Sequence, residues 1–238
     1  MAGQVVADDT VTLTVAPDVT ITPAMQDYLK AVYRLGELGP VSTQKLADEL
    51  GVAAPSVTNM AKRLHELGLL VHAPYHGVTL TPRGRQAALA VVRRHRLLET
   101  YLANAVGLGW DEVHDEAERL EHHLSARLEA RLDSLLGFPA TDPHGDPIPR
   151  AGAEIASGPT LLQTPAGAEG TVSRVSDRDP EQLRYLGALG IVPGVRVAVV
   201  EHLPFDGPVR VRVLTSDDAR GQEHVLGRVL AEAVRLAS

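Results

Sequence analysis

Apolar residues fall at helical spacing through the first half of the chain and at strand spacing in its last third. Thr22-Pro23 is a capping residue followed by proline at the first helical position, and Met25, Leu29, Val32, Tyr33 and Leu35 then mark one helix face. Ser42 opens a second helix that buries Leu46, Ala47 and Leu50, and Gly51 closes it as a C-terminal glycine does. A third helix starts near Pro55 and stops at Gly68. Its apolar face is Val57, Met60, Ala61, Leu64 and Leu67, and its opposite face is Ser56, Thr58, Asn59, Lys62 and Arg63. Two short helices joined by a tight glycine-containing turn, the second polar and basic outside, describe a helix-turn-helix. Residues 69–73 and 78–81 flank Pro74-Tyr75-His76-Gly77, a hairpin pattern. A hairpin directly after a recognition helix is a wing.

Thr81-Pro82 opens a long helix reaching about residue 106, with Ala88, Val91, Val92, Leu98 and Leu102 on its stripe. Another begins near residue 111, with Val113, Ala117, Leu120, Leu124 and Leu128 aligned, and a further one over about 125–136 carries Leu128, Leu132 and Leu135. From Gly137 the texture changes to a linker rich in proline and glycine. Beyond it, strand-like runs at 170–175, 195–202 and 209–214, with Asp206-Gly207 marking a hairpin, predict a small β-barrel. Residues 1–20 are small, polar and β-branched, and read as a tail with one short strand-like run.

The 238 residues suit two or three domains, and aromatic content of 3% means cores of Leu, Val and Ala. No cysteine is present, which excludes disulfides and thiolate metal sites and suits a cytoplasmic protein. The N-terminus lacks the basic region and apolar run of a signal peptide, and no stretch approaches the roughly 20 apolar residues of a membrane span, so no membrane partner is expected. Net charge is −7. Yet between residues 53 and 96 the chain carries Lys62, Arg63, Arg83, Arg85, Arg93, Arg94 and Arg96 against Glu66 alone. A local basic face on an acidic protein fits site-specific DNA binding with weak non-specific affinity. Asn59 has the edge to pair with adenine, and Pro55 suits a thymine methyl. Lys62 and Arg63 face outward with them. Arg83 and Arg85, opening the long helix, are placed for phosphates.

Two helices carry histidine and glutamate four apart: His95 with Glu99, and His114 with Glu118, continuing to Glu121 and His122. Positions i, i+3 and i+4 share a helix face, so Glu118, Glu121 and His122 converge with His114 one turn earlier. Imidazole plus carboxylate without thiolate is a ligand set for a divalent first-row metal. The plainer alternative is a solvated face in which Asp115, Glu118 and Glu121 balance Arg119. His123 lies off that face, and His65, His72 and His76 have no partner at ligand spacing. A di-metal carboxylate enzyme needs Glu-x-x-His on two helices. Here Glu121 and His122 are adjacent and His95 precedes Glu99, so no enzyme and no organic substrate are expected. A winged-helix regulator sensing an organic ligand is the other alternative, and it requires DNA binding indifferent to chelators.

Five segments in order resemble the metal-dependent repressors typified by the diphtheria toxin repressor and the manganese transport regulators. They are Asp27-Tyr28-Leu29-Lys30-Ala31-Val32-Tyr33, Pro55-Ser56-Val57-Thr58-Asn59-Met60, Arg94-His95-Arg96-Leu97-Leu98-Glu99, the run from Val113 to His122, and Pro143-His144-Gly145-Asp146-Pro147-Ile148-Pro149. Leu189-Gly190-Ile191-Val192-Pro193-Gly194, entering a strand, looks like the SH3-like barrel of longer members. The resemblance implies a mainly α fold with a small β domain: a tail over 1–21, a winged helix-turn-helix over 22–87, a helical metal-binding and dimerisation domain over 88–150, and a linker with an SH3-like domain over 151–238. It implies a homodimer repressing metal-uptake genes from palindromic operator DNA. It also implies a regulatory metal on Asp27, Glu118, Glu121 and His122, and an ancillary one on His95, Glu99 and His114, closed by Asp179 or Gln182. Iron-responsive members place sulfur where this chain has Asp27 and Glu118, whereas manganese-responsive members place Asp and Glu. Mn(II) is therefore the expected cofactor, with Fe(II) or another divalent metal second. Two departures are Lys30, where manganese regulators offer a glutamate, and Ala53, where a hydroxyl residue commonly caps the recognition helix.

Overall fold

The computed structural model describes residues 13–16, 19–36, 39–73, 76–150, 158–215 and 218–237. The tail before Leu13, Pro74-Tyr75 of the expected wing turn and residues 151–157 of the expected linker lie outside the described residues.

The chain forms two compact units, each discontinuous in sequence: residues 1–95 with 118–131, and 96–117 with 132–238. In the first, short strands β1 (Leu13–Ala16) and β2 (Val19–Ile21) pair antiparallel and lead into α1 (Pro23–Leu35). The Thr22 hydroxyl caps α1 by accepting from the Met25 N–H at 3.4 Å. Ser42 caps α2 (Thr43–Leu50) in the same way, and Gly51 ends it in the left-handed conformation at φ 64°. Helix α3 (Ala54–Glu66) starts without a side-chain cap, because Ala53 has nothing to offer, and buries Val57, Ala61 and Leu64. Strands β3 (Leu70–Ala73) and β4 (Gly77–Leu80) form the antiparallel wing, and Val41 bridges onto Val78. The core of this unit runs from Ile21, Met25 and Leu29 through Leu46 and Leu64 to Leu69 and Ala88.

Helix α4 (Pro82–Tyr101) is capped by Thr81, whose hydroxyl accepts from the Gly84 N–H at 3.0 Å. Gly84 is required there, since a Cβ would lie 1.9 Å from the Leu69 carbonyl oxygen. The expected continuation to residue 106 is a π-helical turn, Leu102–Val106, ended by Gly107 at φ 84°. Helix α5 (Val113–Leu120) is shorter than its stripe predicts, because the chain tightens into a 3₁₀ turn at Glu121–His123 before α6 (Ala126–Leu135). That change of pitch leaves Leu120 and Leu128, both read as core positions, 43% and 49% exposed.

The second unit is built on an antiparallel sheet of order β8-β7-β6-β5-β9, namely β5 (Glu169–Val175), β6 (Arg196–His202), β7 (Val209–Thr215), β8 (Asp218–Leu226) and β9 (Val234–Leu236). Helices α7 (Pro180–Ala188) and α8 (Arg228–Ala233) complete it. Alternate residues Val197, Val199, Val209, Val211 and Val213 fill its core with Leu183, Leu186 and Ile191. No helix among the described residues is long and apolar enough to cross a membrane.

Candidate metal centre and DNA-binding surface

In the first unit, α1 presents Gln26, Asp27 and Lys30 within little more than one turn. The 3₁₀ turn offers Glu121 and His122 on adjacent residues. His122 Nε2 lies 2.9 Å from Asp27 Oδ1 and 3.7 Å from Glu121 Oε1. Its other nitrogen, Nδ1, is 3.1 Å from the amide oxygen of buried Gln26, whose own NH₂ donates to the Ile21 carbonyl at 3.4 Å. With the amide so oriented, Nδ1 carries the proton and Nε2 keeps its lone pair. Asp27 Oδ1 is buried and makes no hydrogen bond, although it lies 2.9 Å from Nε2. Asp27, Glu121 and His122 thus converge within 4.8 Å of one another. Two lone pairs facing each other are unfavourable until a cation comes between them, so these residues fit a divalent metal held by hard oxygens and one imidazole.

Glu118, expected with Asp27, Glu121 and His122, pairs with Lys30 instead. Its Oε1 is 2.8 Å from Lys30 Nζ, which also reaches Glu121 Oε1 at 2.5 Å. His95, expected in the ancillary set, brings Nδ1 to 2.6 Å from Glu121 Oε2 and 4.0 Å from Glu118 Oε1. Glu121, completely buried, therefore serves both the Asp27–His122 group and a second group of His95, Glu118 and Glu121. Gln26 was not legible as part of the centre, and Lys30 only through the resemblance, because their partners lie about 90 residues away, at separations of 96 and 88.

The second unit holds another cluster. His114 Nδ1 is 3.1 Å from Glu99 Oε1 and 3.4 Å from Asp177 Oδ2. Of the sheet domain's residues, Asp177 lies beside His114, where the resemblance implies Asp179 or Gln182. The Asp179 carboxylate is spent capping α7, accepting from the Glu181 N–H at 2.9 Å, while the Gln182 amide donates to Asp179 Oδ2 at 2.9 Å. Fully buried His144 also approaches Glu99, with Nδ1 3.9 Å from its Oε2 and 4.0 Å from Asp142 Oδ1. His144 Nε2 donates to the Trp110 carbonyl at 2.6 Å, so Nδ1 keeps its lone pair, and it makes no hydrogen bond. Glu99, Asp142 and His144 meet as a fourth metal-competent group, which sequence reasoning missed. A histidine flanked at two residues on each side by Asp142 and Asp146 was the available signal. Gly145 makes the turn possible at φ 87°, where a Cβ would meet the Ser173 carbonyl at 1.9 Å.

Burial, reinforced by the neighbouring Glu99 and Asp146 charges, pushes the Asp142 carboxyl well above its ordinary value, against the opposing pull of Arg96. A carboxyl raised on folding holds a proton that the unfolded chain has lost. It therefore stabilises the fold at acid pH and loses that contribution as pH rises through its raised value. Melting the metal-free protein across pH should show this decline between the ordinary carboxylate range and the raised one. Asp142→Asn should flatten it, and an unchanged profile would contradict the assignment.

On the first unit, Pro55, Ser56, Asn59, Lys62 and Arg63 are exposed along the outer face of α3. Thr58 is half-buried and spends its hydroxyl on the Ala54 carbonyl at 3.1 Å. Arg83 is half-buried, while Arg85 is exposed and stacks over the Tyr33 ring at 5.2 Å. Of the basic run, Arg93 and Arg94 pair with Glu129 at 2.9 and 3.2 Å, and Arg96 pairs with Asp146 at 2.5 Å. The exposed cationic surface is accordingly narrower than the count of arginines suggested. His123 and His76 are exposed, and exposed His65 turns its Nδ1 to the Leu70 carbonyl at 3.0 Å.

A winged helix-turn-helix joined to buried clusters of carboxylate and imidazole defines a metal-responsive DNA-binding protein. Residues 20–78 match the N-terminal DNA-binding domain of iron-dependent repressors, 81–150 match their metal binding and dimerisation domain, and 160–237 match the FeoA domain. The iron-dependent repressor IdeR of Mycobacterium tuberculosis is 36% identical over 187 residues, 72% of this chain and 81% of that protein. The diphtheria toxin repressor of Corynebacterium efficiens is 33% identical over 186 residues, 73% and 81% of the two chains. Among solved structures, a manganese-dependent transcriptional repressor in complex with manganese is 46% identical, with a TM-score of 0.83 over 90% of this chain and 99% of that one. ScaR with bound Cd2+ is 30% identical, with a TM-score of 0.77 over 90% and 99%. The chain belongs to the iron-dependent repressor family of metal-dependent transcriptional repressors, with the mainly α architecture and SH3-like domain of its longer members.

Proposed function

We propose that this repressor is activated by Mn(II), with Fe(II) the nearest competitor, and that it binds a palindromic operator of metal-uptake genes as a cytoplasmic homodimer without enzymatic activity. The observation that carries the reading is the convergence of Asp27 Oδ1 and His122 Nε2 at 2.9 Å, with Glu121 Oε1 3.7 Å from the same nitrogen. The donors are carboxylate and imidazole only, which leaves Mn(II) competitive where sulfur ligands would favour softer metals. The 46% identical manganese-dependent repressor supports the same choice, whereas the iron-dependent relative shares less sequence at 36%.

Asp27, Glu121 and His122 would hold the ion, which supplies positive charge and a cross-link between α1 and the 3₁₀ turn. Gln26 orients His122 by accepting from its Nδ1–H, at 3.1 Å. Because α1 is the first helix of the DNA-binding module, fixing Asp27 to His122 biases the pose of α3. This population shift requires only that the DNA-competent pose bind metal better. Exposed Leu120 and Leu128 are apolar positions suited to a face that a second chain covers. Glu99 and His114 with Asp177, and Glu99 with Asp142 and His144, offer the further, ancillary position.

The test is operator binding in gel shift, with EDTA and with Mn(II), Fe(II), Co(II) and Zn(II). Tight binding only with metal, at lowest concentration for Mn(II), is expected. Equal affinity in EDTA would sink the reading and favour a regulator of another ligand. On α3, Asn59→Ala should cost about 1–3 kcal/mol at the operator and relax one base position, whereas Lys62→Ala should weaken all sequences alike and lower the salt slope by about one. Selection from randomised sites separates the two, and an unaltered base preference in Asn59→Ala would remove Asn59 from the readers.

A further inference from the structure

We propose that the Lys30 ammonium is a built-in cation that fills the His95–Glu118–Glu121 group and so limits the regulatory centre to one metal ion per chain. The proposal rests on the reading that Asp27, Glu121 and His122 hold a metal. By donor chemistry alone, His95, Glu118 and Glu121 are a second cation position, offering three ligand atoms within 4.8 Å of one another. That position is taken by Lys30 Nζ, 2.8 Å from Glu118 Oε1 and 2.5 Å from Glu121 Oε1.

Three features make this ammonium a structural substitute for an ion rather than a passing ion pair. Its side chain is only 7% exposed and faces a fully buried carboxylate, so removing either partner strands a charge out of water. It is tethered on α1 one turn from Asp27, so it cannot diffuse away as a bound ion can. The charges also balance for one divalent ion and not for two. Asp27, Glu118 and Glu121 carry three negative charges, Lys30 returns one positive, and a single divalent cation cancels the remainder. A second divalent ion beside Lys30 would leave about two uncompensated positive charges around the buried Glu121 carboxylate, against about one where Lys30 is absent, so the ammonium opposes the second ion.

The experiment counts manganese on the full chain by elemental analysis after equilibrium dialysis, and follows thermal melting with EDTA and with Mn(II). Lys30→Met should hold one more manganese per chain than wild type, melt lower in EDTA, and show a larger rise on adding Mn(II). Lys30→Met combined with Glu118→Gln removes one carboxylate along with the ammonium, and should return to the wild-type count. A folded Lys30→Met protein with the wild-type count overturns the proposal. If Lys30→Met does not fold even with Mn(II), the double variant decides. A folded double variant with the wild-type count supports charge replacement, and an unfolded one overturns it. Asp27→Ala separates the two levels. A count unchanged by Asp27→Ala overturns the underlying metal assignment and the proposal with it. A count that falls in Asp27→Ala but does not rise in Lys30→Met overturns the proposal alone.

Discussion

Glu121→Gln should erase metal-dependent operator binding and weaken the metal-free fold at the same time. The carboxylate is wholly buried and carries three relationships: one oxygen meets Lys30 Nζ at 2.5 Å and lies 3.7 Å from His122 Nε2, and the other meets His95 Nδ1 at 2.6 Å. Losing the anion removes a metal ligand, so the operator affinity gained on adding Mn(II), on the order of 100-fold at the upper end of ordinary allosteric coupling, should vanish. Lys30 would keep only Glu118, and breaking a buried pair costs about 3–5 kcal/mol, with the lower end expected because Glu118 remains. Urea unfolding in EDTA reads the second effect and gel shift the first. A variant as stable as wild type in EDTA would mean that the buried pairs contribute nothing to the apo fold.

Gln26→Leu should lower metal affinity about 10–100-fold while leaving the fold in place. The amide contributes no metal ligand. It accepts from His122 Nδ1–H at 3.1 Å and thereby keeps the Nε2 lone pair directed at Asp27. Leucine fills the same fully buried space without an acceptor, so the imidazole is free to move its proton to Nε2 and to turn. Competition with a fluorescent chelator measures the change, with Asn59→Ala as a control whose metal affinity should stay at the wild-type value. Unaltered affinity in Gln26→Leu would show that His122 is held by something other than this hydrogen bond.

The DNA-binding half of the molecule was legible because its signals are local. Thr22-Pro23, Ser42 and Gly51 punctuate α1 and α2, and the spacing of Val57, Ala61 and Leu64 defines the buried side of α3. Legibility fails where pitch changes without a marker. Nothing in Leu102-Ala103-Asn104-Ala105-Val106 announces a π turn, and nothing before Glu121 announces a 3₁₀ one. Strand β8 escaped notice because, at the sheet edge, it needs few apolar residues, and Gln222-Glu223-His224 reads as polar loop. Asp179, one of two residues that the resemblance offers to the ancillary metal, has in Asp179-Pro180 the same cap-then-proline form as Thr22-Pro23. Applying the capping rule there would have released Asp179 and left Asp177 as the acidic residue in reach. The resemblance marks Lys30 as a departure, but helical periodicity cannot see its glutamate partner 88 positions away.

The seams between the two compact units fall inside helices: after His95 in α4, before Glu118 in α5 and after Arg131 in α6. This has a consequence for how such regulators can be recombined. A chimera joined just after the wing, around residue 81, exchanges the helix-turn-helix but leaves residues 118–131 with the other parent, and with them Glu121 and His122. Asp27 and Lys30 would then meet carboxylates from a foreign sequence. If Asp27, Glu121 and His122 hold the metal as proposed, DNA specificity and metal response are not separable cassettes in this chain, and a functional graft must carry both sequence segments of the first unit together.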